Sequence, residues 1–249
     1  MALIPTRNSV WCVLKNEENK YLLLKRSKYS NNAGQWNFPG GGVEPGEDAV
    51  VAGSREFHEE CGANIPVSNW VAVTTIHSKD RSMNFIRPKQ VLEPKIFINS
   101  ESSKYGWFDI KELRDKNLHF PTQQFFKYLN NKEHLKYRQR LVKGQLFLDI
   151  TAAMGEEIVA CAKICLPSRK LHNVEVAPFY RGLGFGHALM SHVMSLPNHP
   201  IQLTANAESH SGMNIQALVN WYRTFGFIET AALASTQKSG PVTMKLGLK

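Results

Sequence analysis

A glycine loop followed by a carboxylate-rich helix constrains the fold of this chain most. The loop, QWNFPGGGVEPGED, leads into residues 47–61, whose apolar positions are spaced as on one helix face, and Gly62 suits the left-handed residue that ends a helix. With about 3.6 residues per turn, Glu56, Glu59 and Glu60 share one face of this helix. The segment therefore predicts a loop and a helix that hold three carboxylates together.

Three carboxylates on one face repel one another, so helix stability alone does not favour them. A hard divalent cation such as Mg²⁺ removes this repulsion, because it binds carboxylate oxygens and shares its other positions with water and phosphates. Arg55 precedes Glu59 by four residues and can pair with it, which would orient a carboxylate. A solvated acidic helix is the alternative interpretation of the same glutamates.

The full string over residues 41–63 is GGVEPGEDAVVAGSREFHEECGA. It resembles the signature of the Nudix hydrolases, G-x5-E-x7-R-E-U-x-E-E-x-G-U with U apolar, and every fixed position matches. The resemblance extends over roughly residues 5–130. It implies an α/β/α sandwich and the Mg²⁺- or Mn²⁺-dependent hydrolysis of a nucleoside diphosphate linked to another group.

The resemblance also implies roles for particular residues. The implied metal ligands are Glu56, Glu59, Glu60 and the carbonyl of Gly41. Arg55 would orient a carboxylate, and Glu47 would be a supporting acid. A metal-bound water would attack phosphorus. The general base varies within the family, and Glu93 and Glu101 are the candidates here.

The substrate is not identified by the sequence. The downstream tags of the ADP-ribose and dinucleoside polyphosphate subfamilies are absent from residues 77–82, HSKDRS. Four aromatic residues could stack a base or could simply pack in the core: Trp70, Phe85, Tyr105 and Trp107.

A second glycine-rich turn lies between a predicted strand at residues 172–178 and a predicted helix at 184–195. Its glycines, Gly182, Gly184 and Gly186, would expose consecutive N–H groups at the helix N-terminus, which suits a diphosphate. Alone, this pattern is weak, because it has neither the Rossmann spacing nor the lysine of a P-loop.

In context this segment resembles the acetyl-coenzyme A motif of the GNAT acetyltransferases, V-x-P-x-x-R-G-x-G-x-G, and WYRTFGF at residues 221–227 resembles a second element of that family. The resemblance covers roughly residues 141–249. It implies that acetyl-CoA is bound by the residues Val176, Arg181, Gly182, Leu183, Gly184, Phe185 and Gly186. Tyr222 would protonate the leaving thiolate, and Glu175 would act as a base towards an amine. Alternatively, Glu175 is a solvent-facing strand residue and Tyr222 a partly buried aromatic.

One departure from the GNAT pattern concerns the acyl acceptor. GNAT domains usually begin with a strand and two helices that help to build the acceptor site, and only about a dozen residues are free for them here. The acceptor site is therefore open, completed by the first domain or a second subunit, or lost.

The predicted fold class is α/β with mixed sheets, in two domains. We expect a Nudix-type α/β/α sandwich over residues 1–132, a polar linker over 133–143 and a short GNAT-like α/β domain over 144–249. The chain has 249 residues, of which 43% are hydrophobic and 20% charged, as is usual for globular proteins.

Charge, cysteines and hydropathy limit the expected partners. The net charge of +9 suits an anionic nucleotide, but no nucleic-acid-binding motif accompanies it, so we expect no nucleic acid partner. No apolar run approaches the ~20 residues of a membrane span, and we expect no membrane partner. The four cysteines form no CxxC pair and predict reduced, mostly buried thiols in a cytoplasmic protein.

The sequence thus predicts a bifunctional enzyme, a Nudix pyrophosphohydrolase fused to an acetyl-CoA-dependent acyltransferase. Two alternatives stay open. In one, the second domain only binds coenzyme A or has a structural role. In the other, the chain is a non-catalytic nucleotide- or RNA-binding regulator, although its complete set of catalytic carboxylates argues against this.

Overall fold

The structure is a computed structural model that describes residues 7–78, 80–142, 144, 146–206, 213–230 and 241–247. The chain divides into two compact units, Met1–Asn131 and Lys132–Lys249.

The first unit contains seven strands and two α-helices in its described residues. The strands are β1 (Arg7–Cys12), β2 (Tyr21–Arg26), β3 (Trp36–Asn37), β4 (Gly40–Gly42), β5 (Trp70–Ser78), β6 (Arg81–Pro88) and β7 (Ser102–Phe108). The helices are α1 (Ala49–Cys61) and α2 (Phe120–Asn130). One sheet has the order β4-β1-β6-β5, with β1 and β6 parallel, and the other has the order β3-β2-β7.

Alternation along the strands places the two sheets between the two helices. Val10 of β1 and Leu22 of β2 belong to one core cluster with Phe57 of α1. The preceding residue of β2, Tyr21, instead contacts Phe126 of α2, and their ring centroids are 5.1 Å apart. Because successive strand residues point to opposite faces, the two helices cover opposite sides. This confirms the predicted α/β/α sandwich.

Two segments of this unit differ from the sequence predictions. The apolar residues of segment 91–98, VLEPKIFI, predict a strand, but this segment forms none. Pro94 has no N–H to donate, and Ile96 instead packs into the core around α1. The backbone N–H of Phe97 donates to the carbonyl of Cys61 at 2.8 Å, at the end of that helix. β6 was not predicted from the sequence.

The second unit is built around one sheet. Its described elements are β8 (Leu135–Val142), β9 (Phe147–Met154), β10 (Glu157–Cys165), β11 (Lys170–Val176), α3 (Phe185–Ser195), β12 (Gln202–Ala205), α4 (Ile215–Arg223), β13 (Phe227–Glu229) and β14 (Val242–Leu246). The sheet order is β13-β14-β12-β11-β10-β9-β8. Parallel and antiparallel pairs are mixed, which confirms the predicted fold class.

The segment 133–143, predicted as a linker, instead contains the edge strand β8. It pairs antiparallel with β9 from Leu135↔Met154 to Val142↔Phe147. An edge strand tolerates charged side chains on its exposed positions, which is why this polar segment resembled a linker. Only residues 143–146 connect β8 to β9. This is too few for the two helices that the resemblance to GNAT domains implies after a first strand.

The four cysteines are free thiols, and Cys12 and Cys61 are buried. In the described parts of the chain, no helix has the length and apolar character needed to cross a membrane.

Candidate functional sites

Helix α1 has defined ends that fix its carboxylates relative to the glycine loop. The side chain of Asp48 accepts a hydrogen bond from the N–H of Val50 at 2.8 Å, which caps the N-terminus. At the other end Gly62 has φ 64° and its N–H donates to the carbonyl of His58, as the sequence predicted. The helix begins at Ala49, two residues after the predicted start.

Glu60 is the buried carboxylate of the site. It is only 5% exposed, and its Oε2 accepts a hydrogen bond from the N–H of Gly40 at 2.8 Å. Burial, together with smaller effects of the nearby charges of Glu56 and Glu101, raises the pKa of Glu60 to about 8. Burial and mutual repulsion disfavour the ionised carboxylates here, and a bound cation would stabilise them.

Arg55 binds several acidic groups of the site at once. Its Nε and Nη2 donate to the two oxygens of Glu47 at 3.2 and 3.1 Å, and Nη2 also donates to the carbonyl of Gly42 at 3.1 Å. Its Nη1 donates to Glu56 at 3.0 Å and to Glu59 at 3.4 Å. The hydrogen bonds from Arg55 to Glu47 hold the pKa of Glu47 below its usual value. Arg55 therefore ties the loop to the helix.

Gly41 lies directly against Glu56. A Cβ on Gly41 would stand 2.6 Å from the carboxyl carbon and from both carboxyl oxygens of Glu56. Burial raises the pKa of Glu56, while Arg55 opposes this shift. The absence of a side chain on Gly41 thus leaves room for the Glu56 carboxylate.

These groups open onto a cavity of about 530 Å³. Its lining residues are Arg7, Trp11, Arg26, Asn31, Asn32, Gly40, Gly41, Gly42, Glu56, Glu60, Glu101 and His119. Glu59 is not one of them, and its side chain is 53% exposed. Across the residues that the structure describes, no three His, Cys, Asp or Glu side chains form a complete metal-ligand group. The three-glutamate ligand set therefore stays a prediction.

The two candidate bases lie in different surroundings. Glu101 lines the cavity and its charge contributes to the raised pKa values of Glu56 and Glu60. Glu93 does not line the cavity and accepts a hydrogen bond from Asn16 at 3.4 Å.

Several lining residues were not predicted from the sequence. Trp11 and His119 meet edge to face with ring centroids 5.4 Å apart, and Asn32 lies 3.3 Å from Nε2 of His119. Burial, with the charges of Arg26 and Arg81, lowers the pKa of His119 to about 4, so the ring is neutral at pH 7. No sequence signal could have found this group, because its members come from distant segments. The aromatic residues Trp70 and Phe85, which were considered as base-stacking residues, are buried in the core.

The second site begins where β11 ends. Gly182 has φ 76°, and Gly184, with φ 81°, caps α3. A Cβ on Gly186 would lie 3.2 Å from Cγ2 of Val176, so this glycine lets α3 pack closely on the strand. The side chains of Leu183 and Phe185 are buried, so these residues can offer a ligand only their backbone groups.

β11 and β12 diverge beside this turn. They pair in parallel only at Lys170↔Gln202 and Leu171↔Leu203. Beyond Leu171, β11 continues to Val176 without a ladder to β12, which leaves an edge suited to an extended ligand. The carbonyl of Val176 accepts a hydrogen bond from Nε of Arg181 at 3.1 Å, which fixes the turn after the strand.

The predicted acid and base of this site differ in exposure. Tyr222 is buried, and burial raises its pKa to about 12, so its hydroxyl stays protonated at neutral pH. Glu175 is exposed and lies opposite Cys161 on β10. Because Val176 faces α3, strand alternation points Glu175 to the other face of the sheet.

Comparison with known families decides the classification. A family model of the NUDIX domain matches residues 5–129, and a model of the acetyltransferase (GNAT) domain matches residues 109–248. Each match covers half of the chain or more. This chain belongs to both families. The Nudix match contains the whole cavity described above, and the GNAT match contains the glycine turn and Tyr222.

Several known proteins are similar to the Nudix part of this chain. An RNA pyrophosphohydrolase of Pelagibacter ubique is 28% identical over 159 residues, which cover 53% of this chain and 93% of that protein. A CTP pyrophosphohydrolase of Escherichia coli is 44% identical over 55 residues, covering 22% and 41%. A solved structure of a MutT protein from Methanosarcina mazei Go1 is 27% identical and covers 51% of this chain and 94% of its own, with a TM-score of 0.41.

Proposed function

We propose that the Nudix domain hydrolyses a phosphoanhydride bond in a nucleoside diphosphate derivative with the help of Mg²⁺ or Mn²⁺. The observation that carries this proposal is the cavity in which Glu56, Glu60 and Glu101 lie beside a glycine loop. Acids with raised pKa values gain most from a bound cation, because it favours their charged forms.

A divalent metal fits these donors. Glu56 and Glu60 would hold it from the cavity wall, with the carbonyl of Gly41 and a reoriented Glu59 as further ligands. When bound, the metal supplies Lewis acidity and lowers the pKa of a water molecule. Arg55 would keep Glu56 and Glu59 in position, with Glu47 securing the other end of its guanidinium. Glu101 is the better-supported base, because it faces the cavity and Glu93 does not.

The remaining lining residues suit a nucleotide. Arg7 and Arg26 offer positive charge for phosphates, and Trp11, Asn32 and the neutral His119 offer an aromatic surface and hydrogen-bonding groups for a base. The two similar proteins named above are described as pyrophosphohydrolases of RNA and of CTP. Both names describe hydrolysis of a nucleotide phosphoanhydride, which supports this substrate class for the chain.

A substrate panel tests the proposed hydrolase. We expect the purified full chain with Mg²⁺ or Mn²⁺ to hydrolyse a phosphoanhydride bond in at least one member. The product would be a nucleoside monophosphate, 3′,5′-ADP from coenzyme A, or 5′-monophosphorylated RNA. The panel contains nucleoside triphosphates, oxidised dGTP, ADP-ribose, NADH, coenzyme A, dinucleoside polyphosphates and 5′-triphosphorylated RNA, with products separated by chromatography. Chelation with EDTA is the matched control and should abolish turnover. An intact protein that turns over no member would favour the non-catalytic alternative.

We further propose that the GNAT domain binds acetyl-CoA and transfers its acetyl group to an amine. The backbone of Arg181, Gly182, Leu183, Gly184, Phe185 and Gly186 would bind the diphosphate, and the free edge of β11 near Val176 would bind the pantetheine arm. Tyr222, protonated at neutral pH, would donate its proton to the departing thiolate. Glu175 would accept a proton from the amine. The alternative, that the domain only binds coenzyme A, is supported by the short β8–β9 connection.

Substitution of Tyr222 by Phe distinguishes transfer from binding. Tyr222→Phe should lower the rate of thiol release from acetyl-CoA with an active amine by about 10²-fold, since general acid catalysis contributes at least this much. The dissociation constant for CoA should not change. Tyr137→Phe is the control, because it removes a hydroxyl that donates to the carbonyl of Ala188 at 3.2 Å. If no amine from a broad panel is acetylated while CoA binds, the binding-module alternative holds.

A further inference from the structure

The side chain of Asn99 links the proposed base Glu101 to the carboxylate helix. Its Oδ1 accepts a hydrogen bond from the backbone N–H of Glu101 at 3.0 Å, and its Nδ2 donates to the backbone carbonyl of Glu59 at 3.2 Å. These partners determine the orientation of the amide, because a backbone N–H can only donate and a carbonyl can only accept. One half-buried side chain therefore joins the turn that carries Glu101 to the helix that carries Glu56 and Glu60.

The turn around Glu101 is closed by two local hydrogen bonds. The carbonyl of Asn99 accepts from the N–H of Ser102 at 3.3 Å, which makes residues 99–102 a four-residue turn. Within this turn the bond from the N–H of Glu101 to Oδ1 of Asn99 spans two residues, as in an Asx-turn. This bond fixes the backbone conformation at Glu101, a residue that lines the cavity.

The second partner of Asn99 belongs to the C-terminus of α1. The last four carbonyls of an α-helix have no partner within the helix. The carbonyl of Cys61 accepts a hydrogen bond from the N–H of Phe97 at 2.8 Å, and the carbonyl of Glu59 accepts from Asn99. The segment just before Glu101 is thus attached at two points to the end of the helix that carries the proposed metal ligands.

The position of the Glu101 carboxylate depends on this backbone. In the part of the chain that the structure describes, the hydrogen bonds of Glu101 are made by its backbone groups, and its carbonyl accepts from the N–H of Ser27 and from Oγ of Ser30, both at 2.7 Å. The carboxyl oxygens are therefore available to a water molecule. Because a general base must lie within ~2.6–3.2 Å of the group it deprotonates, a small shift of the turn should affect the rate.

We propose that Asn99 is a positioning residue for Glu101 in phosphoanhydride hydrolysis. This inference rests on the proposed hydrolase function and on Glu101 as its base. Through its two hydrogen bonds, Asn99 sets the distance between the base and the metal ligands of α1. The signature string over residues 41–63 does not contain this link, since Asn99 lies 40 residues after Glu59.

Asn99→Ala in the full chain tests the proposal. It should lower kcat on the best substrate of the panel about tenfold or more, because displacement of a catalytic group by about an ångström has effects of this size. KM and the rise of the thermal midpoint with Mg²⁺ should not change, since no proposed metal ligand or nucleotide-binding group is removed. The bonds from Ser27 and Ser30 remain, so the turn should stay attached and the variant should fold, as its thermal midpoint will show.

The matched control is Asn117→Ala. It removes another amide side chain of the same domain, an exposed one whose Oδ1 accepts a hydrogen bond from Nε2 of Gln35 at 3.5 Å. Asn117 does not line the cavity, and its substitution should leave kcat within about twofold of the wild type.

A double-mutant cycle separates positioning from a general structural role. Glu101→Gln alone should lower kcat about 10²-fold, because the amide cannot accept the proton. In that background Asn99→Ala should change kcat by less than about twofold, because the group that Asn99 positions is already inactive. A structural role independent of Glu101 would instead lower kcat by the same factor in both backgrounds.

Several outcomes overturn the inference and leave the hydrolase standing. These are a wild-type kcat for Asn99→Ala, losses that multiply in the double variant, and a loss that appears in KM or in Mg²⁺ stabilisation instead of kcat. A wild-type kcat for Glu101→Gln removes Glu101 as the base and this inference with it, but leaves the metal site. Wild-type protein that hydrolyses no member of the panel removes the proposed hydrolase and this inference together.

Discussion

Glu60→Gln should reduce phosphoanhydride hydrolysis by about 10³-fold, because it removes the buried negative charge that favours a bound metal. The fold should survive the change. Gln is nearly isosteric, and its amide oxygen can still accept the hydrogen bond from the N–H of Gly40 that Glu60 accepts at 2.8 Å. Because the pKa of Glu60 is raised to about 8, the metal-free wild type already carries a largely protonated side chain at pH 7. The kcat/KM on the best substrate of the panel measures the effect.

The same variant has a readout that does not depend on turnover. Mg²⁺ should raise the thermal midpoint of the wild type, because a ligand that binds only the native state stabilises it, and Glu60→Gln should lose this rise. Glu44→Gln is the matched control, an exposed acid of the same loop whose backbone N–H, not its side chain, contacts Glu47 at 3.1 Å. A Glu60→Gln protein with more than a tenth of wild-type activity would contradict the assignment of Glu60.

Gly41→Ala should reduce hydrolysis by about 10²-fold with little loss of stability. The added Cβ would stand 2.6 Å from the carboxyl group of Glu56, and the flexible carboxylate would have to move away from the cavity. Displacement of a catalytic group by about an ångström is enough for a loss of this size. Gly41 is not in the left-handed region of the backbone, so alanine introduces no backbone strain there.

Gly42, the next residue in the loop, provides the matched control. A Cβ on Gly42 would meet no atom within 4 Å, and Gly42 likewise has no positive φ. Gly42→Ala should therefore retain activity within about threefold, and both variants should unfold within a few degrees of the wild type. Equal activities of the two variants would show that the space beside Glu56 is not required.

The short β8–β9 connection bears on the acyl acceptor. With residues 143–146 alone between these strands, the two helices that usually help to form a GNAT acceptor site have no place there. Glu175 faces the side of β11 opposite α3 and is exposed. An amine would therefore reach Glu175 from the face of the sheet that α3 does not cover.

The sequence alone determined the features that depend on local spacing. The string from Gly41 to Ala63 predicted α1, its stop at Gly62 and the Nudix family. The second glycine turn predicted the start of α3 and the GNAT family. These predictions succeeded because capping, helical periodicity and close backbone approach depend on residues within a few turns of one another. The same local signal could not separate Glu60 from Glu59, since both lie on the predicted face.

Only the tertiary structure decided which of these groups share a cavity. It turned Glu60 inwards and left Glu59 exposed, it separated Glu101 from Glu93, and it converted the polar segment 133–143 into an edge strand. It also assembled Trp11, Asn32 and His119 into one wall. Such contacts join distant segments through sheet pairing and core packing, so no spacing along the chain encodes them.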